Sequence, residues 1–192
     1  MNIGIYGGTF NPPHIGHLIV AERVRTELGL DKIIFIPSYI SPHKQVGESD
    51  LALHRFAMTK LAVASNIRFD CSDIEVTQKE TSYTIHTLVR LKKQFPQDSL
   101  YLIIGMDNYL TFHLWKEPKR VLEMARLVVM NRPGYPKQVN EVIGTFNTVF
   151  IEVPNIDISS SEIRRNVKEH RSIHYLVPNS VEEYIFAHDL FL

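Results

Sequence analysis

His14 and His17 are the side chains in this sequence best spaced to act together on a phosphate. They stand in the stretch Gly7-Gly8-Thr9-Phe10-Asn11-Pro12-Pro13-His14-Ile15-Gly16-His17. An apolar run from Ile3 to Tyr6 precedes it and reads as a buried strand. Ile15, Leu18, Ala21, Val24 and Leu28 follow at helical spacing, so the stretch is a strand-to-helix turn. Two glycines leave no Cβ there, and backbone N–H groups can approach a ligand closely. The helix start adds unpaired N–H groups and a positive dipole end, which attract phosphate. The spacing puts both imidazoles on one face of the first helical turn, at the mouth of that cradle. Two plainer readings stand beside this one. A Gly-Gly turn can be a tight connection only, and a His pair can hold a metal, although no motif places a third ligand. Neither G-x-G-x-x-G nor G-x-x-x-x-G-K-[ST] occurs.

Further candidates lie in other loops. Ile158-Ser159-Ser160-Ser161-Glu162-Ile163-Arg164 reads as a helix start, with Ser and a Glu three residues on forming a capping box. The same residues offer N–H groups, hydroxyls and, one turn on, a guanidinium suited to phosphate oxygens. In Gly105-Met106-Asp107, the carboxylate reads as a cap for a helix beginning near Asn108. Lys44 is either a solvated lysine or a charge that screens a triphosphate. Asn131-Arg132-Pro133-Gly134-Tyr135 is turn chemistry, and Arg132 faces either a ligand or solvent.

The elements that must position these residues alternate. Lys32 to Pro37, Leu100 to Ile104, Leu127 to Met130 and Thr148 to Val153 are short apolar runs of strand type. Asp50 to Ala64, with Leu51, His54, Met58, Leu61 and Val63 and an Asp50 cap, and Thr84 to Phe95, with Ile85, Leu88, Leu91 and Phe95, are helical. This order predicts an α/β, doubly wound parallel sheet with crossover helices on both faces. Residues 159–192 form a small helical C-terminal part, Ile163 to Lys168 and then Ser180 to Ala187. Ser41 to Ser49, polar with Pro and Gly, is the candidate mobile loop. A parallel sheet holds ligands outside the carboxyl ends of its strands, which singles out the loops after Tyr6, Pro37, Ile104, Met130 and Val153.

Composition narrows the function classes. The 192 residues suit a single domain, 1–192, and at 44% hydrophobic they can build a core. Lys+Arg and Asp+Glu are both 21, so no global field favours nucleic acid or an anionic membrane, and an anionic ligand must meet a local cluster. The one cysteine, Cys71, excludes an internal disulfide and reads as an inert core thiol. There is no signal-like start and no apolar run approaching ~18 residues, so a cytoplasmic protein is expected, with neither a membrane nor a nucleic-acid partner.

The string Gly8-Thr9-Phe10-x-Pro-x-His14-x-Gly-His17 resembles the signature of the nucleotidyltransferase superfamily that carries an H-x-G-H motif. The string Ile158 to Arg164 resembles that superfamily's second signature, I-S-S-[ST]-x-[IV]-R. The resemblance implies a Rossmann-like nucleotidyltransferase fold. It implies that His14 and His17 stabilise the phosphate under attack, with Arg164 as the third catalytic group. By the same resemblance Gly8, Thr9, Phe10, Lys44, Gly105, Asp107, Ser160 and Ile163 bind ATP, with Asp107 on the ribose and Ser161 as the helix cap.

Ser82-Tyr83-Thr84, Trp115, Arg132-Pro-Gly-Tyr135 and the segment from Phe35 through Lys44 are similar to the bacterial nicotinate mononucleotide adenylyltransferase family over essentially the whole chain. That implies an acceptor pocket of Tyr83, Thr84, Trp115, Lys116 and Arg132. An indole suits stacking on a pyridine ring, and N–H groups at the start of the Thr84 helix suit a nicotinate carboxylate. Plain packing is the alternative for Trp115, but as the only Trp, at the end of Leu110 to Trp115, it reads first as a ring contact. His86 stands where family members carry Asp, and Lys116 where they often carry an aromatic. The implied reaction joins ATP and nicotinate mononucleotide to give deamido-NAD and pyrophosphate, with Mg²⁺ travelling on the phosphates and no metal caged by protein ligands. A homo-oligomer is left open. The rivals are the same chemistry on nicotinamide mononucleotide, phosphopantetheine or a phosphosugar analogue, and a non-catalytic nucleotide sensor. His43, His54, His113, His170, His174 and His188 read as surface or packing, and Arg55 and Arg120 as residues that cap or pair on helices.

Overall fold

Apolar strands that alternate with helices bury both sheet faces, and the computed structural model, which describes residues 1–40, 51–132, 134–135 and 138–192, shows that arrangement. In chain order the elements are β1 (Asn2–Gly8), α1 (Ile15–Glu27), β2 (Lys32–Pro37), α2 (Ala52–Val63), β3 (Phe69–Cys71) and α3 (Thr84–Gln94). There follow β4 (Ser99–Gly105), α4 (Met106–Leu110), α5 (Pro118–Met124), β5 (Arg126–Met130), β6 (Thr148–Ile151), α6 (Ser160–Lys168) and α7 (Asn179–Ala187). The strands form one sheet in the order β3-β2-β1-β4-β5-β6, and every neighbouring pair is parallel. The direction of winding reverses between β1 and β4, so the crevice beyond their carboxyl ends is the place for a ligand.

Side chains alternate across the sheet as a strand requires. Ile3, Ile5, Ile34, Ile36 and Leu102 enter one cluster with α3, α4 and α5. Ile33, Phe35, Ile103 and Val128 enter the other with Ala21 and Val24 of α1. A third cluster joins Met58 and Ala62 of α2 to Ile163, Val167, Val181 and Ile185 of α6 and α7. Among the described residues no helix is long and apolar enough to cross a membrane.

Three differences from the sequence reading bear on the site. β1 does not stop at Tyr6: Gly7 pairs with Ile36 and Gly8 with Pro37, so the turn begins at Thr9. The edge strand β3 was not foreseen, because it has three residues and carries an exposed Asp70 between two half-buried ones. It takes in Cys71, whose thiol is pushed up to about 12 by burial and by Asp70 and Asp73, which leaves it inert at neutral pH. Of the expected α2 stripe of Leu51, His54, Met58, Leu61 and Val63, only Met58 and Val63 are buried; Ala52, Arg55, Thr59 and Ala62 complete the buried face, and Leu53 is exposed. Asp50, Lys44 and the candidate mobile loop lie outside the described residues.

Candidate active site

The turn after β1 exposes carbonyls that no strand can satisfy, and side chains from remote helices take them up. Arg55 Nη1 donates to the Thr9 carbonyl at 2.8 Å, Arg164 Nη1 to the Asn11 carbonyl at 2.7 Å, and Ser160 Oγ to the Pro12 carbonyl at 2.8 Å. The first N–H of α1, from Ile15, donates to the Leu176 carbonyl at 2.9 Å. Gly8 is required by close approach, since a Cβ there would lie 2.9 Å from Phe10 Cζ. Phe10 is core, 3% exposed, with its ring packed on Tyr6, His17 and Phe35.

His14 is the N-cap of α1 and His17 stands at its third position. The His14 backbone N–H donates to His17 Nδ1 at 3.1 Å, the part that Glu or Gln plays in a capping box. Because Nδ1 accepts, neutral His17 carries its proton on Nε2. The two rings stack with centroids 3.6 Å apart and planes 28° from parallel. Burial pushes His14 down to about 4. Burial, then the neighbouring His14 and Arg132, holds His17 well below the usual histidine range. Both rings are therefore neutral donors at pH 7, and His14 Nδ1 is buried with no hydrogen-bond partner among the described residues.

α6 faces this pair across the turn. Its cap is Ser159, whose Oγ accepts from the Glu162 N–H at 3.1 Å, so the assignment of the cap to Ser161 is corrected. Ser161 Oγ instead accepts from Arg164 Nη2 at 3.3 Å and steadies the guanidinium. Ile163 is fully buried in the third cluster and anchors the helix from behind.

Gly105 caps α4, and Asp107 stands in its first turn rather than before it. A Cβ on Gly105 would come within 2.5 Å of Asp107 Oδ1, so glycine lets the carboxylate fold back over the end of β4. Asp107 Oδ2 pairs with Arg132 Nη1, and Oδ1 is buried without a partner among the described residues. Arg132 is thereby tied to the carboxylate read for the ribose, with its guanidinium 6.0 Å from the Tyr135 ring.

On the acceptor side, Tyr83 caps α3 with no side-chain bond to the helix, which leaves first-turn N–H groups of Thr84 and Ile85 without intrahelical partners. Lys116 Nζ lies 4.5 Å from the Tyr83 ring centre. Trp115 is tilted on Phe112 at 4.9 Å, and its Nε1 is buried without a partner among the described residues. His86 packs edge-on to Tyr83 at 5.7 Å. No three His, Cys, Asp or Glu side chains gather for a metal among the described residues. Two structural contributors were not assigned to the site from sequence: Arg55, read as capping or pairing on a helix and in fact fully buried under the turn, and the Leu176 carbonyl. Helical spacing from Ala52 through Arg55 to Met58 and Ala62 was the available signal for Arg55, whereas nothing local marks a backbone carbonyl.

The cytidylyltransferase-like family model matches residues 5–166. A Thermus thermophilus protein named "Probable nicotinate-nucleotide adenylyltransferase" is 42% identical over the full length of both chains. One of the same name from Syntrophotalea carbinolica is 38% identical, covering 100% of this chain and 97% of its own. The fold is similar to that of Plasmodium falciparum nicotinic acid mononucleotide adenylyltransferase complexed with NaAD, with a TM-score of 0.80, 21% identity, and coverage of 99% of this chain and 97% of that one. By sequence over its whole length, and with a matching fold, the chain belongs to the cytidylyltransferase-like family and, within it, to the nicotinate-nucleotide adenylyltransferases.

Proposed function

We propose that this chain transfers the adenylyl group of ATP to nicotinate mononucleotide, giving deamido-NAD and pyrophosphate, a step of NAD biosynthesis. The observation that carries the reading is the stacked, neutral His14–His17 pair at the end of β1, faced by Arg164 from α6 at the reversal point of the sheet. A phosphate oxygen of the mononucleotide attacks the α-phosphorus. The bond from that phosphorus to the bridging oxygen breaks, and its electron pair leaves on pyrophosphate. No protein nucleophile is needed, so the protein supplies position and charge stabilisation. His17 Nε2–H and His14 donate to oxygens that gain charge. Arg164 and the open N–H groups of α6 receive the triphosphate, with Gly8, Thr9 and Ser160 lining its path and Asp107 Oδ1 accepting from ribose hydroxyls.

Tyr83, Thr84, Trp115 and Lys116 receive the nicotinate ring and its carboxylate. Mg²⁺ enters and leaves on the phosphates, as a small hard cation that keeps most of its water does. We place the reaction in the cytoplasm and in one nucleotidyltransferase domain spanning residues 1–192. Pyrophosphate release is assayed with ATP and nicotinate mononucleotide, nicotinamide mononucleotide or phosphopantetheine in turn. Turnover with the nicotinate form is expected. Turnover confined to another acceptor, or none with any, would overturn the assignment.

A further inference from the structure

Arg55 places a full charge at 0% exposure beneath the substrate crevice, where a guanidinium is stable only if its hydrogen bonds are met. Its fork spans two strand ends. Nη1 donates to the carbonyls of Thr9 at 2.8 Å and Ser38 at 2.6 Å, and Nη2 to that of Tyr39 at 2.8 Å. Thr9 opens the turn that carries His14, and Ser38 and Tyr39 follow β2. The connection continues toward α3. The Tyr39 N–H donates to Ser82 Oγ at 2.9 Å, and the Ser82 N–H donates to the Ile40 carbonyl at 2.9 Å. Beneath Ser82, Glu75 accepts from Thr87 Oγ1 of α3 at 2.6 Å. Its carboxyl is pushed up by burial against hydrogen bonds from Thr87 and Ser82 and the charges of Arg90 and Arg55.

We propose that Arg55, acting through Tyr39 and Ser82, is a positioning residue that sets the separation between the triphosphate turn and the start of the acceptor helix α3. The proposal rests on the adenylyl-transfer reading, in which the turn holds one reactant and α3 the other. Transfer between two bound reactants depends on the distance and angle between them, and a displacement of about 1 Å can cost ~10²-fold in rate. Arg55 reaches the substrates through the chain rather than by contact. Its loss therefore acts on the alignment of the bound pair more than on the grip on either one.

Arg55→Lys keeps the charge and loses the planar fork. Ser82→Ala removes the Oγ that accepts from the Tyr39 N–H, keeps the Ser82 N–H bond to Ile40, and leaves the Arg55 charge in place. Wild type and both variants are checked for folding by circular dichroism. Turnover is then measured at saturating substrates, and binding of a non-hydrolysable ATP analogue and of nicotinate mononucleotide is measured separately by calorimetry. The expected result is kcat lower by ~10²-fold in Arg55→Lys. Ser82→Ala falls in the same direction, the separate affinities change little, and the double variant is no slower than Arg55→Lys. Wild-type kcat in a folded Arg55→Lys, or a loss confined to KM, overturns the bridge. If Arg55→Lys does not fold, Ser82→Ala decides, and an unchanged kcat in it overturns the bridge equally. A wild type that makes no deamido-NAD refutes the reaction reading and the bridge with it, whereas an active wild type with equally active variants refutes the bridge alone.

Discussion

Two imidazoles stacked 3.6 Å apart cannot both carry charge cheaply, and burial already disfavours charge on each. Neutrality suits them as donors whose strength grows with the charge on a phosphate oxygen. His17→Ala removes the donor whose tautomer is set by the His14 N–H, and kcat is expected to fall by ~10²-fold or more. Steady-state turnover near wild type would remove the role. The same burial makes a stability prediction. Below its ordinary value of 6.5, His14 in the unfolded chain takes up a proton that the folded chain refuses down to about 4. The unfolded state then binds more protons, so stability falls as pH drops from about 6.5 to about 4 and levels off below. His14 alone accounts for about 3 kcal/mol of that fall, and His17 extends it to lower pH. Urea unfolding between pH 7 and 4.5 should give a shallower pH slope in His14→Asn, and parallel slopes would contradict the cause. At this scale the sequence was legible in local placement: His14 and His17 stand at the start of the helix after β1, and Arg164 lies one turn into the helix that follows Ser159. It was illegible where the partner is a carbonyl. Arg55 read, with Arg120, as a residue that caps or pairs on a helix, and Arg120 does pair with Glu117 at 3.0 Å. Three consecutive serines did not reveal that Ser159 takes the cap, Ser160 the Pro12 carbonyl and Ser161 the Arg164 fork.

In the proposed reaction the starts of α6 and α3 meet the two substrates, and each makes a separable claim. Ser159→Ala removes the cap of α6 and should cost ~1 kcal/mol of stability while raising KM for ATP, because Ser160 opens that helix and Arg164 stands one turn into it. Thermal melts and initial rates test the two halves of that statement. At α3 the open N–H groups and dipole favour a carboxylate by about 1–2 kcal/mol when partly buried. An amide NH₂ in the same place would face donors and leave bonds unmade at ~1–3 kcal/mol. Together these give at least ~10²-fold preference in kcat/KM for nicotinate over nicotinamide mononucleotide. Lys116, over the Tyr83 ring, adds attraction, so Lys116→Ala should narrow the preference without abolishing it. Competition between the two mononucleotides measures both, and equal use of the amide would move the acceptor ring away from α3. Strands and long helices were legible as elements because apolar runs and 3.6-residue spacing carry most of the burial energy. β2 has the expected bounds, Lys32–Pro37. Short elements carry too few buried side chains to leave a pattern, which is why β3 and α5 were missed and α4, expected to begin near Asn108, begins at Met106. The face of α2 was misread because its buried stripe is built from Ala, Arg and Thr as well as Met, while Leu53 faces solvent.

The C-terminal helices read in sequence as a small addition, but their packing makes them part of the catalytic framework. Val181 and Ile185 of α7 and Ile163 of α6 are fully buried against Met58 and Ala62 of α2, the helix that carries Arg55. Leu176, just before α7, supplies the carbonyl that takes the first N–H of α1. Loosening α7 therefore reaches the His14–His17 turn by two routes, through α2 and through Leu176. Trp115 packs on the other sheet face, against the cluster of α3, α4 and α5. If the chain is one cooperative domain, indole fluorescence and far-ultraviolet circular dichroism must report the same transition. Ile185→Ala should remove ~2–5 kcal/mol of stability from that transition. At this chain length each kcal/mol moves the midpoint by roughly 2–4 °C, so a fall of roughly 5–15 °C is expected in both signals. Adenylyl transfer at a temperature below the lowered midpoint should persist, with a weakened response to ATP because the α1 start is less firmly held. A Trp115 signal that keeps its wild-type midpoint while the dichroism splits into two steps would make residues 159–192 a unit that unfolds by itself. Ser160 and Arg164 would then reach the His14–His17 turn from a part that unfolds separately.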